Sequence, residues 1–546
     1  MSTFTISGQL IDLFQRRTYP ATISVIDGII RNIKEVPKAP DQYILPGFID
    51  AHVHIESSML VPTAFARIAV VHGTVATVSD PHEIANVCGI EGVEYMINNS
   101  KKTPFKFFFG APSCVPATSF ETAGAVLDSA AVEKMLQSPD IWYLTEMMNY
   151  PGVLHNDPEV LAKIKAAQKA DKPIDGHAPG LKGDEASQYA AAGITTDHEC
   201  FTMEEALDKI KSGMKILIRE GSAAKNYEAL CDLLRTQPTK VMFCSDDKHP
   251  DELVLYHIND LVKRSLAKGY TPYDILWAAC VSPVLHYKLP VGMLRENDPA
   301  DFIVINKLQP FDILQTYIDG RLVAEKGKTL LPYVRVEPIN NFNCQLKSPK
   351  DFVLNVRSDA PLIRVMEAIE GQLVTNELIL QGKNENGCWV SDIEQDILKI
   401  VVVNRYNNNA PISVGFIKNI GLKKGAIAST VAHDCHNIIA VGVDDDTICA
   451  AVNALISCKG GISVAAHADT VDCMPLPIAG LMTGEDGYEV AAKYSLIDKK
   501  AKELGTPLHA PYMTLSFMAL LVIPSLKLSD MGLFDGRKFQ FTSVEA

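Results

Sequence analysis

Residues 46–59 read PGFIDAHVHIESSM. Phe48, Ile49, Ala51, Val53 and Ile55 form an apolar run that carries Asp50, His52, His54 and Glu56 at alternate positions. Side chains alternate across a strand, so a strand here turns all four polar groups to one side. Two acids and two imidazoles along one face of an otherwise buried strand point to chemistry rather than packing.

Working outward, the same unit recurs to about residue 250: a short β-rich run ending in polar residues, then 10 to 20 residues at helical spacing. The runs are ILPGFIDAHVHIE (44–56), GTVATVSDPHE (73–83), FKFFFGAPSC (105–114), IWYLTEMMNY (141–150), KPIDGHAPG (172–180), GITTDHEC (193–200), KILIREGS (215–222) and KVMFCSDDKH (240–249). Eight β–α units with largely apolar strands predict an α/β fold with a closed (β/α)8 TIM-like barrel over 44–299. An open doubly wound sheet is the runner-up, but no Gly-rich phosphate loop follows the first strand. Short β-like pieces in 1–43 and again in 300–344 predict a small β-sandwich built from both flanks. After the Asn- and Pro-rich stretch around 337–350, residues 345–546 mix strands with a helix candidate at 444–459, an expected C-terminal α+β domain.

The 546 residues, 47% of them hydrophobic, suit a multidomain globular protein with ample core. Lys and Arg total 51 against 65 Asp and Glu, a net charge of −14, which argues against a nucleic-acid or anionic-membrane surface. The longest strongly apolar stretch, 517–526, is far short of the roughly 20 residues that span a bilayer. Twelve cysteines without a CxxC pair, and no signal peptide, suggest a reducing cytoplasm.

Polar residues gather at the strands' C-terminal ends, the rim where barrel enzymes keep their active sites. They are His52, His54, Asp80, His82, Glu146, His177, His198, Glu199, Asp246, Asp247 and His249. One such histidine is commonly a hydrogen-bonded structural residue; four facing one mouth with two carboxylates are not explained that way. Imidazoles and carboxylates without thiolates suit Zn(II), Fe(II) or Mn(II). Two ions about 3.5–4 Å apart need a bridging carboxylate. Glu146, ending strand 4, is placed to bridge, and Asp246, ending strand 8, to bind one ion and accept a proton.

PGFIDAHVH, the single histidines ending strands 5 and 6, SDD on strand 8 and the tail ACVSPVLHYKLPVGMLRENDPADFIVIN (279–306) look like the amidohydrolase superfamily. HVHIESSM, SDPHEIANV, TEMMNYPGV, DGHAPG, TDHEC, TVAHDCHNIIAVG (430–442) and LPIAGLMT (476–483) resemble its adenine deaminase branch more closely, over nearly the whole chain. The resemblance implies that His52, His54 and Asp246 hold one metal and His177 and His198 a second, with Glu146 between them. Many binuclear relatives carry a carbamylated Lys on strand 4; YLTEMM has none, in keeping with this branch. It further implies two divalent ions, Mn(II) or Fe(II) with Zn(II) as the alternative, and a homodimer or larger homo-oligomer.

The implied reaction is hydrolysis of adenine to hypoxanthine and ammonia: a metal-bound hydroxide attacks C6, Asp246 takes its proton, and a protonated group delivers one toward ring N1. Glu199 and His82 are the further candidates for proton movement. Glu56, Ser57, Asp80 and Asp247 are candidates for holding substrate, and Glu199, His82 and Glu56 could each instead orient a ligand histidine from behind. Asp247 rivals Asp246 as the catalytic Asp, and Arg219 reads as an ion-pair partner. His54-Ile55-Glu56 matches half of the zinc nucleobase-deaminase motif, but the P-C-x-x-C half is missing. The role of His433 and His436 in AHDCHN stays open among metal binding, packing, a dimer contact and a lid. Two other functions compete: a cyclic-amide hydrolase of hydantoinase or dihydroorotase type, and a metal-free, non-catalytic relative.

Overall fold

The computed structural model describes residues 3–357 and 361–546. Strands β1 (Phe48–Val53), β2 (Thr74–Ser79), β3 (Lys106–Ala111), β4 (Ile141–Met147) and β5 (Ile174–Gly176) pair in parallel in that order. A second parallel run holds β6 (Thr196–Asp197), β7 (Lys215–Arg219) and β8 (Val241–Cys244). Backbone hydrogen bonds join the runs at both seams. Thr195 N donates to the Ile174 carbonyl at 2.9 Å, and Asp246 N to the His52 carbonyl at 3.0 Å. The barrel predicted from eight repeats is therefore closed, and every residue of β1 and β2 is buried.

Local chemistry starts the helices between the strands. Asp157 caps Pro158–Lys169 by accepting from the Glu159 and Val160 amides, with proline at the first position where no amide is needed. Thr202 caps Met203–Lys211, which opens on Glu204 and Glu205 and closes on Lys209 and Lys211, matching the helix dipole at both ends.

The two flanks merge into one eight-stranded sheet. Tyr43–Pro46 lies between Thr3–Asp12 and Phe302–Ile305, so the sheet is stitched where the chain enters and leaves the barrel. Leu10, Ile23, Val25, Ile44, Phe302 and Val304 form its own apolar core.

The C-terminal unit is built on a second eight-stranded sheet, with the helix Asp445–Cys458 on one face. Its strand Ile397–Val403 is almost wholly apolar because both faces are covered: Leu398, Ile400 and Val402 join the core shared with the barrel, while Val401 and Val403 pack beneath the helix. The unit is tied to the barrel mouth where Thr483 N donates to Met59 O at 2.9 Å. Among the described residues no helix is long and apolar enough to cross a membrane.

Asp50 holds the seam between β1 and β8. It accepts from the Ser245 amide at 2.9 Å and from the Ser245 hydroxyl, and it pairs with His257 Nε2 at 2.8 Å, all without solvent contact. Asp50→Ala strands these donors in a dry seam, at about 1–3 kcal/mol for each group left unpaired. A lower denaturant midpoint for the variant is expected; an unchanged midpoint would show that the seam does not need this carboxylate.

Candidate active site

The stripe read from residues 46–59 is shorter than alternation implied. The strand stops at Val53, Ile55–Ser58 is one turn of 3₁₀ helix, and Met59 takes a left-handed backbone with φ 60°. His54 lines the cavity at the barrel mouth, while Glu56 is carried off it by the helical turn. Its carboxylate accepts the Ile84 amide at 3.3 Å.

The loops that carry His177 and His198 are held by buried contacts. Gly176 is required where β5 meets β6, since a Cβ there would lie 2.3 Å from the Thr196 carbonyl oxygen. Asp197 ties the next loops together, accepting from Ala178 N at 3.0 Å and Glu199 N at 2.7 Å. The buried Lys209 pairs with Asp197 at 3.2 Å. Asp246 has a left-handed backbone, φ 55°, at the end of β8. Asp tolerates that region better than most residues.

At the centre stands Glu146. Its Oε1 is 3.3 Å from His54 Nε2; its Oε2 is 2.6 Å from His177 Nδ1 and 3.1 Å from His198 Nε2. Asp246 Oδ1 lies 3.4 Å from His52 Nε2 and 3.3 Å from His54 Nε2. The two Nε2 atoms are only 3.1 Å apart, and the His52 and His198 rings stack at 4.2 Å. Arg219 donates from Nη1 and Nη2 to both oxygens of Glu199 and from Nη1 to Asp246 Oδ2 at 2.7 Å.

Glu83, Glu146, Glu199, Asp246, Asp247 and Asp434 line one cavity, together with His54, His82, His177, His198 and His433. Burial alone would depress the imidazoles of His54 and His198, but the carboxylates around them outweigh it and raise both well above the ordinary value. Burial would likewise raise Glu199, yet Arg219 overrides it and holds that carboxyl at about 2. Asp247, buried beside Asp246, is pushed up. Buried negative charge in this excess calls for cations. Nitrogen and oxygen donors from His52, His54 and Asp246 converge within 4.8 Å of one another, as do those from His52, Glu146 and His198. His52 Nδ1 and His177 Nε2 have no hydrogen-bond partner. The donor set fits divalent metal ions held by imidazole and carboxylate.

The structure thus brings His52, His54, Glu146, His177, His198 and Asp246 to one point, with Glu199 and His82 beside them. His82 Nδ1 sits 3.2 Å from Asp80 and 3.6 Å from Glu146 Oε1. Asp80 also accepts the His82 amide at 3.0 Å, so it faces its own loop. Asp247 lines the cavity, and Ser57 reaches it only by donating to Asp247 Oδ1. His249 lies apart, its ring against Tyr494 at 4.6 Å. Sequence reading passed over Glu83 and the lid residues Leu373, Asp434, Phe517 and Leu520, which complete the cavity. Only the His-Asp-Cys-His cluster hinted at them.

Arg219→Met leaves Glu199 and Asp246 buried without their shared cation, a loss of about 3–5 kcal/mol in metal-free protein. The Glu199 part is present above the carboxyl's unfolded value of about 4.3 and disappears as pH falls toward 2. Denaturation of metal-free samples should show that loss at neutral pH, with added divalent cation recovering more stability in the variant than in the parent. Equal stability without metal would contradict the pairing.

Two family models match the chain: the amidohydrolase family over residues 43–323 and the adenine deaminase C-terminal domain over 372–540. An adenine deaminase of Salinibacter ruber is 54% identical over 541 residues, covering 99% of this chain and 98% of the relative. Those of Methanosarcina acetivorans and Borreliella burgdorferi are 52% and 49% identical over 548 residues, covering 99% of this chain in each case and 99% and 100% of the relatives. With the barrel matched by the amidohydrolase model, the C-terminal unit by the adenine deaminase domain, and curated relatives aligned over nearly the whole chain, the chain belongs to the adenine deaminase family of the amidohydrolases.

Proposed function

We propose that this chain hydrolyses adenine to hypoxanthine and ammonia at a two-metal site in the barrel mouth. One observation carries the reading: Glu146 touches imidazoles from three strand ends at once, in a chain half identical to adenine deaminases. His52, His54 and Asp246 would hold one ion and His177 and His198 the other, with Glu146 between them. Mn(II) or Fe(II) suits this mixed imidazole and carboxylate set, with Zn(II) as the alternative. Bound divalent ions supply Lewis acidity and lower the pKa of water.

The chain's own residues do the rest. Asp246, one oxygen toward His52 and His54 and the other tied to Arg219, is oriented to take a proton from the attacking water. Glu199, locked ionised by Arg219, serves as an acceptor that fixes a neighbouring histidine rather than as a proton donor. His82 stands between Glu146 and the lid, where its two nitrogens can pass a proton across the cavity. Met148, Leu373, Phe517 and Leu520 supply apolar walls that exclude water around a flat base. All twelve cysteines are free, which supports a reducing cytoplasm. Assembly as a homo-oligomer rests on the family resemblance alone.

Ammonia release and the ultraviolet change on converting adenine test the reading directly, with metal-loaded protein of known metal content. Asp246→Asn should lower kcat by about 100- to 10,000-fold. Loaded protein that leaves adenine untouched would contradict the assignment.

A further inference from the structure

The segment 430–437 of the C-terminal unit reaches into the barrel mouth. There His433 Nδ1 donates to Glu83 Oε1 at 2.6 Å, and its ring stacks on Phe517 at 4.3 Å. The other Glu83 oxygen faces His436 Nε2. These three residues have the composition of a metal site, but the tautomer argues otherwise. His436 Nδ1 accepts the Ala432 amide at 3.2 Å, so the single proton of the neutral ring sits on Nε2, on the side nearest Glu83. A metal on Nε2 would need that proton on Nδ1, against the Ala432 amide. Glu83 is therefore a carboxylate held between two imidazoles, and it fixes the His433 ring in place.

Two polar atoms of the lid residues that line the cavity are left over. His433 Nε2 and Asp434 Oδ2 are buried and have no hydrogen-bond partner, and both residues line the cavity shared with Glu146, His177, His198 and Asp246. Asp434 Oδ1 is 3.7 Å from His82 Nε2, whose Nδ1 is 3.6 Å from Glu146 Oε1. The lid carboxylate thus stands one imidazole's width from the residues assigned to the metals.

We propose that His433 and Asp434 bind the N3/N9 edge of the purine and make the site selective for the free base, with Glu83 as the positioning residue for His433. The proposal rests on the reading of the chain as an adenine hydrolase. C6 must face Asp246 and the metal ligands, which leaves the N3 and N9–H edge for the lid. That edge offers one acceptor beside one donor. Asp434 accepts N9–H, and His433 donates to N3. Glu83 outweighs the effect of burial and raises the His433 imidazole to about 9, so Nε2 carries a proton at neutral pH. A base substituted at N9 has no N–H to offer and would bury the Asp434 oxygen unpaired, the kind of mismatch that sites reject most strongly.

Steady-state kinetics on metal-loaded protein with adenine and 9-methyladenine test this. Asp434→Ala is expected to raise KM for adenine about tenfold or more, with kcat within a few-fold and metal content unchanged, and to narrow the adenine to 9-methyladenine ratio of kcat/KM by about tenfold. Asp434→Asn keeps an acceptor oxygen and should recover part of the KM. Glu83→Gln should raise KM in the same direction as His433→Gln. Unchanged KM and ratio in Asp434→Ala, or a loss confined to metal content, would overturn the proposal while adenine turnover by the parent protein stands. Should Asp434→Ala fail to fold, the parent decides: inhibition by 9-methyladenine at concentrations near the KM for adenine would overturn it, and inhibition only about a hundredfold higher would support it. A parent protein that releases no ammonia from adenine would instead remove the reading beneath it.

Discussion

Glu146 is the contact on which the site depends. One buried carboxylate meets His54 from β1, His177 from β5 and His198 from β6, and no other side chain among the described residues links those three strand ends in this way. Holding it there commits the rest of the molecule. The barrel must close so that His52 and Asp246 arrive on the remaining side, and the seam at Asp50 and Ser245 provides that closure. Five further carboxylates share the cavity, and Arg219 neutralises only Glu199 and Asp246. The remaining charge is what makes the mouth a place for divalent cations rather than a polar core.

The C-terminal unit extends this logic beyond the barrel. A mouth open to water would screen the charges that the site concentrates. Leu373, Phe517 and Leu520 cover it, while His433 and Asp434 bring polar groups to the one face that the strands cannot supply. Glu83, at the start of the helix after β2, grips this cover through two histidines more than 340 positions away, so cover and barrel are joined by the residues that shape the cavity.

Much of this was legible in the chain and some was not. β6 is only two residues long, Thr196–Asp197, yet its position was evident because His198 and Glu199 follow a strand-end pattern repeated eight times. Alternation placed His52 and His54 correctly and overreached at Glu56, because the chain leaves the strand for a helical turn that period two cannot anticipate. Glu83 carries no local signal: an acid in the first turn of a helix is ordinary, and its meaning comes from His433 and His436. His257, the partner of Asp50, was invisible for the same reason, being a long-range pair with no spacing rule.

The most direct measurement is anomalous diffraction from crystals of Mn(II)-loaded protein, collected above and below the metal edge. Two peaks about 3.5–4 Å apart are expected, one flanked by His52, His54 and Asp246, the other by His177 and His198, with Glu146 between them. A single peak, or density at Glu83 and His436 instead, would contradict the account.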